Sequence, residues 1–211
     1  MRHISKQAPH LISDSHKSWE KSRYRKSVRS FLVAEQNELC GYCERQISYE
    51  TSHSEHIKPK SIFPQDTFNY ENLIASCDGY FKESIIATQE TCGHGKGDEY
   101  DSQLFLDPTQ VTDIQDYFMY DKEDGKIVAN HNKNSADQSK ANYMINLLNL
   151  NSEAEKTKNT NALPDARINK KNALIKTIIS EGIAPQNYKE MVNKLLTINT
   201  PFISFLEYCF K

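Results

Sequence analysis

The chain has 211 residues, with 26 Lys and Arg against 28 Asp and Glu, and 37% of its residues are hydrophobic. This length suits one sizeable hydrophobic core, or one core with a small satellite. No run approaches 18 apolar residues, which excludes a membrane-spanning helix, and the polar N-terminus lacks the apolar stretch of a secretory signal. We therefore expect a cytoplasmic protein, in which spaced cysteines bind metal more often than they form disulfides.

The charge is unevenly distributed along the chain. Residues 1–30 contain eight Lys or Arg and two acidic residues, so the rest of the chain is acidic. A basic segment of this kind either contacts nucleic-acid phosphates or forms the solvated face of a helix. Apolar residues at helical spacing predict a helix over 18–38. We describe residues 1–34 as a basic N-terminal helical arm.

The central region combines turns with short regular elements. Cys40-Gly41-Tyr42-Cys43 predicts a tight turn, and 52–58 predicts a short strand that Pro59 ends. In the stretch FNYENLIASC, Asn72 is expected in a loop or in the first turn of a helix. The glycine-rich stretch CGHGK at 92–96 predicts a sharp turn that opens a short helix.

The second half of the chain predicts a hairpin followed by helices. Residues 117–120 and 126–129 are typical of two strands joined by a turn at Asp124-Gly125. Residues 135–211 form the helical C-terminal region. Its signals are apolar clusters at helical spacing and a capping box, and they lie at 144–148, Ser152-x-x-Glu155, 168–179, 191–196 and 202–210. Residues 78–91 look like an insertion between two cysteines. With no repeat or linker in sight, we expect a single α+β domain over 1–211.

Four of the five cysteines follow the pattern C-x2-C-x33-C-x14-C, at Cys40, Cys43, Cys77 and Cys92. Structural zinc takes four thiolate or imidazole ligands, and one Cys-x-x-Cys turn supplies two of them. The alternative is a set of reduced, buried cysteines. The region has few apolar residues to stabilise it, which favours a structural zinc site. Cys209 lies in an apolar C-terminal run and is expected in the core.

Three of the seven histidines, His53, His56 and His94, fall inside the cysteine framework, and His56 directly follows Glu55. A carboxylate can bind a hard cation while a neutral imidazole accepts a proton from water. An acid–histidine pair is also common on protein surfaces. Its position between zinc-type cysteines favours a functional site.

Taken in order, these motifs resemble a known family. The order Cys-x-x-Cys, EHIKPKS, NYENL, Cys77 and CGHGK resembles the HNH, or ββα-metal, endonuclease motif with a structural zinc site. The longer pattern LCGYCERQI…EHIKPKS…NLIASC…CGHGKGD…FLDPT is similar to the HNH nuclease subunit of Septu-type and retron-associated anti-phage defence systems. The resemblance covers about 35–109, which would be the nuclease core. It implies a zinc-stabilised ββα-metal fold and metal-dependent hydrolysis of nucleic-acid phosphodiester bonds, with DNA favoured. It also implies Mg²⁺ or Mn²⁺ as the catalytic ion and an ATPase partner subunit.

The resemblance assigns a role to three residues directly. Glu55 matches the acidic position before the first motif histidine and would bind the catalytic divalent ion. His56 matches that histidine and would be the general base. Asn72 matches the motif asparagine, which braces the loop that carries the base.

The last motif departs from the family pattern. Many members have a metal-binding Asn or His directly after the final cysteine, whereas this chain has Gly93 there and His94 one residue later. His94 is therefore the candidate second ligand of the catalytic ion. His53 is a spare candidate, because strand alternation places it on the face of Glu55. Lys96 keeps the family spacing from the cysteine and could offset phosphate charge.

Two other functions remain open. The candidate metal ligand His94 stands one residue later than the family pattern places it. This shift raises the alternative of a catalytically inactive, zinc-stabilised nucleic-acid-binding module. An RNase, such as a tRNA-cleaving toxin, would use the same centre, because attack on a backbone phosphate does not distinguish DNA from RNA. Glu55, His56 and Asn72 occur together in the expected order, which favours an enzyme over an inactive module.

Overall fold

The computed structural model describes residues 1–7, 18–79, 90–152 and 162–210. The helices within these ranges are α1 (Arg23–Glu35), α2 (Cys92–Lys96), α3 (Ser135–Leu147), α4 (Leu163–Ser180), α5 (Tyr188–Leu195) and α6 (Ile203–Phe210). The strands are β1 (Ser52–His56), β2 (Leu73–Cys77), β3 (Phe118–Tyr120) and β4 (Ile127–Ala129). Small antiparallel sheets and separate helices make this an α+β fold, as predicted. Most of the expected insertion and the helix expected after the capping box fall outside the described residues.

Helix α1 is amphipathic and packs on the first sheet. Its buried residues Tyr24, Val28 and Leu32 recur every four positions and contact β1 and β2. The helix begins later than the 18–38 prediction because the Ser22 side chain caps it, accepting a hydrogen bond from the backbone N–H of Arg25. Residues before this cap form a separate 3₁₀ turn.

Strands β1 and β2 form an antiparallel pair in which His53 lies opposite Ser76 and Glu55 opposite Ile74. Every residue of β2 is buried. The expectation of a loop or first helical turn around Asn72 is only partly right: a 3₁₀ turn ends there, and the chain passes directly into a strand. A short, continuously apolar run has no alternation, so periodicity could not separate a buried strand from a helix.

The outer edge of β2 is completed by a side chain rather than by a third strand. The Gln36 amide donates to the Ala75 carbonyl at 2.8 Å and accepts from the Ala75 N–H at 2.7 Å. The Gly41 N–H, in the Cys-x-x-Cys turn, also donates to the Ala75 carbonyl. These contacts attach the end of α1 and the Cys-x-x-Cys turn to β2.

The hairpin and the C-terminal helices surround this element. Strands β3 and β4 pair as predicted, with Gly125 at a φ of 76° in the connecting turn. Helix α3 packs on β4, helices α4 to α6 pack on one another, and α6 also packs on β3. Gly182, with a φ of 69°, follows the C-terminal end of α4, where a left-handed residue commonly ends a helix. None of the described helices is both long and apolar enough to cross a membrane.

Two buried charged residues join the C-terminal helices to the rest. The Glu44 carboxylate accepts hydrogen bonds from the Ser204 N–H and hydroxyl at the start of α6, and it pairs with the Met1 ammonium at 3.0 Å. Arg167 on α4 donates to the Gly125 carbonyl at 2.9 Å and the Leu150 carbonyl at 3.1 Å. Both residues are almost fully buried, so each depends on these partners.

Replacing Arg167 should destabilise the whole fold. Arg167→Met keeps most of the side-chain volume but leaves two buried carbonyls without donors, which we expect to lower the free energy of unfolding by about 3 kcal/mol. Urea denaturation of the zinc-loaded protein measures this. Lys176→Ala removes an exposed cation from the same helix and should change stability by less than about 0.5 kcal/mol. Equal effects of the two substitutions would contradict the proposed bracing by Arg167.

Candidate metal centre and active site

Four cysteines from three separate segments meet at one point. Cys40 and Cys43 come from the turn after α1, Cys77 ends β2 and Cys92 begins α2. All four are buried, and their sulfur atoms lie within 4.8 Å of one another. The Cys43 and Cys77 sulfurs are 3.9 Å apart. Tetrahedral zinc with bonds of about 2.3 Å would place its sulfur ligands about 3.8 Å apart, so the cluster fits structural zinc.

The backbone around the cluster is arranged for thiolate ligands. The Cys77 N–H donates to the Cys40 sulfur at 3.3 Å. Cys92 adopts a left-handed φ of 57°, and its N–H is held by the Leu148 carbonyl at 2.9 Å. A non-glycine residue in that conformation is strained, and here the strain falls on a residue whose sulfur completes the cluster. Cys209 lies apart from the four and is half-buried.

The thiols cannot all ionise without a cation. Burial raises the pKa of Cys40, but hydrogen bonds from the other three cysteines outweigh it and hold that pKa well below its usual value. The same contacts raise the pKa values of Cys77 and Cys92 well above theirs. Four negative charges in this space need a positive charge among them. A metal ion such as zinc would supply it, which suits four cysteines that meet within the hydrophobic core.

His56 ends β1 and is oriented by a backbone carbonyl. Its Nε2 lies 3.0 Å from the Thr67 carbonyl oxygen. A carbonyl can only accept, so Nε2 carries the proton and the neutral ring presents Nδ1 as its basic nitrogen. The ring packs edge-on against Trp19, with centroids 4.5 Å apart. Burial lowers the pKa of His56, which keeps the ring neutral, as a general base must be.

Asn72 braces the turn that follows His56. Its side-chain oxygen Oδ1 accepts a hydrogen bond from the Lys58 N–H at 2.8 Å, and its side-chain amide Nδ2 donates to the backbone carbonyls of Lys58 and Asp66. The Ile57 N–H donates to the backbone carbonyl of Asn72 at 2.9 Å. These bonds connect the two ends of the loop between β1 and β2. The loop also carries Thr67, so Asn72 indirectly fixes the acceptor that orients the imidazole.

Lys96 is buried and linked to the residues around His56. Its ammonium lies 3.0 Å from Glu55 Oε1 and donates to the carbonyls of His56 and Gly97. The side chain is only 1% exposed, so it does not face the open side of the site where phosphate would bind. Lys96 instead holds the Glu55 carboxylate and ties α2 to the end of β1.

A second group of metal-binding side chains lies beside the cysteine cluster. His53, Asp78 and His94 each offer one ligand atom within 4.8 Å of the others. The two imidazole centroids are 4.4 Å apart, and His53 Nε2 is 3.5 Å from Glu55 Oε2. Burial and the neighbouring His53 lower the pKa of His94. The structure therefore brings together Glu55 and both histidines named from the sequence, and it adds Asp78.

Gly93 makes room for this group. A Cβ at this position would lie 2.7 Å from both Glu55 Oε2 and His53 Nε2, closer than real Cβ contacts occur. The Gly93 N–H donates to the Ser76 hydroxyl at 3.1 Å, which holds the start of α2 against β2. Glycine at the position where the family pattern has a ligand leaves space that the β1 side chains occupy.

Trp19, Thr67 and Asp78 were not among the residues predicted from the sequence. Trp19 is the sole tryptophan of the chain, but nothing local indicates that it contacts His56. Thr67 acts through its backbone, which no sequence pattern reveals. Asp78 directly follows Cys77, but its place on the face of Ser76, the residue that pairs with His53, depends on strand β2, which the sequence did not predict.

Part of the basic arm is used within the protein. The Arg29 guanidinium donates to the carbonyls of Tyr49 and Ser52, and the buried Lys6 ammonium pairs with Glu35. Lys21 and Lys26 lie on the exposed side of the arm. The arm therefore combines structural cations with solvent-facing ones.

The arrangement defines a ββα-metal fold: two antiparallel strands and a short helix around a metal-type cysteine cluster, with a histidine at the end of the first strand. No family model matches the chain. A protein of Vibrio cholerae serotype O1 biovar El Tor, described as "Retron Vc95 putative HNH endonuclease", is 30% identical over 175 residues, covering 82% of this chain and 75% of that protein. The chain belongs to the HNH endonuclease family, with a retron-associated relative.

Zinc content tests the cysteine cluster. We expect about one zinc per chain, and Cys40→Ser should lose most of it because three thiolates bind structural zinc much more weakly than four. Elemental analysis of purified protein measures the content, and a zinc chelator should lower the unfolding temperature of the wild type. Cys209→Ser is the matched control and should keep the full content. Equal zinc in both variants would show that the metal binds elsewhere.

Proposed function

We propose that the protein is a metal-dependent HNH endonuclease that hydrolyses phosphodiester bonds of nucleic acid, with DNA favoured over RNA. One observation carries the proposal: the imidazole of His56 is held by the Thr67 carbonyl with Nδ1 as its basic nitrogen, on the same ββα element as a group of metal-binding side chains. Phosphodiester hydrolysis needs both a general base and a divalent cation, and this one element carries candidate residues for each.

The roles of the residues follow from their positions. His56 Nδ1 would take a proton from the attacking water as the water oxygen bonds to phosphorus. The bond from phosphorus to the 3′-oxygen then breaks in line, giving 5′-phosphate and 3′-hydroxyl ends. Glu55 and His94, with His53 as a further candidate, would hold a divalent ion such as Mg²⁺ or Mn²⁺. When bound, the ion supplies positive charge that offsets the charge of the transition state and of the leaving oxygen.

The remaining groups would prepare the site rather than react. Asn72 keeps the loop of Thr67 in place, and Lys96 holds Glu55 and the end of β1. The zinc-type cluster would fix the ends of an element too small to be stable alone. Exposed Lys21 and Lys26 of the basic arm are suited to contacting phosphates, close in the chain to the tryptophan that packs on His56.

We further propose a role in anti-phage defence, as the cytoplasmic effector subunit of a Septu-type or retron-associated system with an ATPase partner. The retron relative and the sequence resemblance motivate this setting. None of the four clustered cysteines is paired in a disulfide, which suits a reducing compartment. We take residues 35–109 as the nuclease core of a single domain. The C-terminal region exposes Ile179 on α4, Leu195 on α5 and Ile198 in the turn after α5, and a partner would cover apolar side chains of this kind.

A cleavage assay tests the enzyme and its substrate together. Supercoiled DNA, linear DNA and total tRNA are incubated with zinc-loaded protein and Mg²⁺ or Mn²⁺. We expect cutting of DNA by the wild type and at least about a 100-fold slower rate for His56→Ala, because a general base contributes roughly that much or more. His131→Ala removes an exposed histidine and should keep full activity. Cutting of tRNA alone would identify an RNase, and no cutting even with the ATPase partner would favour an inactive binding module.

The pH dependence tests the environment of His56. Because burial lowers its pKa, the base stays neutral below the ordinary histidine value of about 6.5. The rate should therefore hold at pH 6.5 and fall only in more acidic buffer. Trp19→Leu reduces the packing on the ring, so the midpoint should move upward. Phe31→Ala, which removes an exposed aromatic from α1, should leave the midpoint in place. An unchanged midpoint in the Trp19 variant would contradict the proposed role of burial.

A further inference from the structure

We infer that His53, Asp78 and His94 together form the divalent-cation site, with Glu55 as a positioning residue rather than its principal ligand. This inference rests on the proposed function and deepens it, because it names the ligands and the class of metal. It departs from the family pattern, in which the carboxylate before the base and the residue after the last cysteine would hold the ion.

The first argument is the convergence of three side chains from three elements. His53 lies on β1, Asp78 directly follows β2 and His94 lies on α2. Their ligand atoms are within 4.8 Å of one another. Ligands on one ion with bonds of about 2.1 Å lie roughly 3 to 4 Å apart, so small rotations of these side chains would complete a site. All three residues are half-buried.

The second argument is the space at Gly93. The virtual Cβ of this residue falls 2.7 Å from His53 Nε2, so any larger residue there would exclude His53 in its present position. The chain therefore has no ligating side chain at position 93, and the β1 side chains of His53 and Glu55 fill the space there. His53 thus adds a ligand from the strand to the α2 ligand His94.

The third argument concerns the charge on Glu55. Its Oε1 pairs with the buried Lys96 ammonium at 3.0 Å, and that cation would repel a divalent ion bound to the same carboxylate at short range. Its other oxygen, Oε2, lies 3.5 Å from His53 Nε2. A carboxylate beside the far nitrogen of a ligating histidine orients the ring and raises its basicity. His53 Nδ1 is buried and has no hydrogen-bond partner among the described residues.

The ligand set selects a class of metal. Two imidazoles and one carboxylate suit borderline ions such as Co²⁺, Ni²⁺ or Zn²⁺, and they suit the harder Mn²⁺ better than Mg²⁺, which prefers oxygen ligands and retained water. Of the two ions expected for catalysis, the site should therefore bind Mn²⁺ more tightly than Mg²⁺.

Metal binding can be measured without reference to activity. Protein loaded with one equivalent of zinc per chain, which the four thiolates bind first, is titrated with Mn²⁺ alone, and the free ion is followed by electron paramagnetic resonance. The wild type should bind one Mn²⁺ beyond the structural zinc. His53→Ala and Asp78→Asn should each weaken the affinity for Mn²⁺ at least about tenfold, because removal of a group that only supports a metal ligand already lowers metal affinity by that factor. A large excess of Mg²⁺ should be needed to displace the ion. His131→Ala is the matched control and should bind as the wild type.

Two further variants distinguish the outcomes. His56→Ala should bind Mn²⁺ normally yet fail to cleave, which separates the ion site from the chemistry. Glu55→Gln keeps the shape of the side chain and should weaken binding less than His53→Ala does. Normal binding by the His53 and Asp78 variants, with loss in Glu55→Gln, would overturn the inference. If the protein binds Mn²⁺ through these residues but cleaves no nucleic acid, the proposed function fails and the cation site stands. Zinc content and circular dichroism confirm that each variant is folded.

Discussion

Four thiols from the Cys-x-x-Cys turn, the end of β2 and the start of α2 converge within 4.8 Å, and the geometry of the whole site depends on that convergence. Helix α2 has five residues and would not form alone, because nucleating so short a helix is unfavourable. Cys92, the first residue of the helix, is anchored in the cluster, and the Gly93 N–H donates a hydrogen bond to the Ser76 hydroxyl on β2. The cluster therefore supplies the tertiary constraint that the local sequence lacks.

Because β1 pairs with β2, the candidate metal-binding and catalytic side chains of β1 lie on two different faces of that strand. His53 and Glu55 point to the side of α2, where Asp78 and His94 meet them. His56, one residue on, turns to the opposite side and packs against Trp19. Because side chains alternate along a strand, a base and a metal ligand can be neighbours in sequence and still have separate surroundings. Lys96 connects the two faces, since it contacts Glu55 Oε1 and the His56 carbonyl.

The buried charges around this element specify its position more than they stabilise it. Lys96, Glu44 and Arg167 are all nearly inaccessible to solvent, and each is matched to particular carbonyls, hydroxyls or opposite charges. A buried ion pair gains little over well-packed apolar residues, but breaking one is costly. Such groups therefore disfavour alternative packings. We suggest that this serves a site in which shifts of about 1 Å would matter.

The sequence by itself determined the parts of this protein that depend on local spacing. The zinc-type cysteines and the hairpin turn at Asp124-Gly125 were identifiable from residue type and spacing, and the resemblance to the HNH motif singled out the Glu55–His56 pair and Asn72. The helical periodicity of the C-terminal region was equally visible.

Tertiary structure decided what depends on distant segments meeting. Strand β2 was not predicted, because a run buried on both faces has no alternation to read. Trp19 and the Thr67 carbonyl reach His56 across 37 and 11 positions of the chain. Lys96 proved to be a buried support for Glu55, and His53 fills space that Gly93 leaves open. Residue types and spacings record which ligands and bases are present. Only packing determines which of them are desolvated, which are neutralised by a neighbour and which remain able to bind an ion.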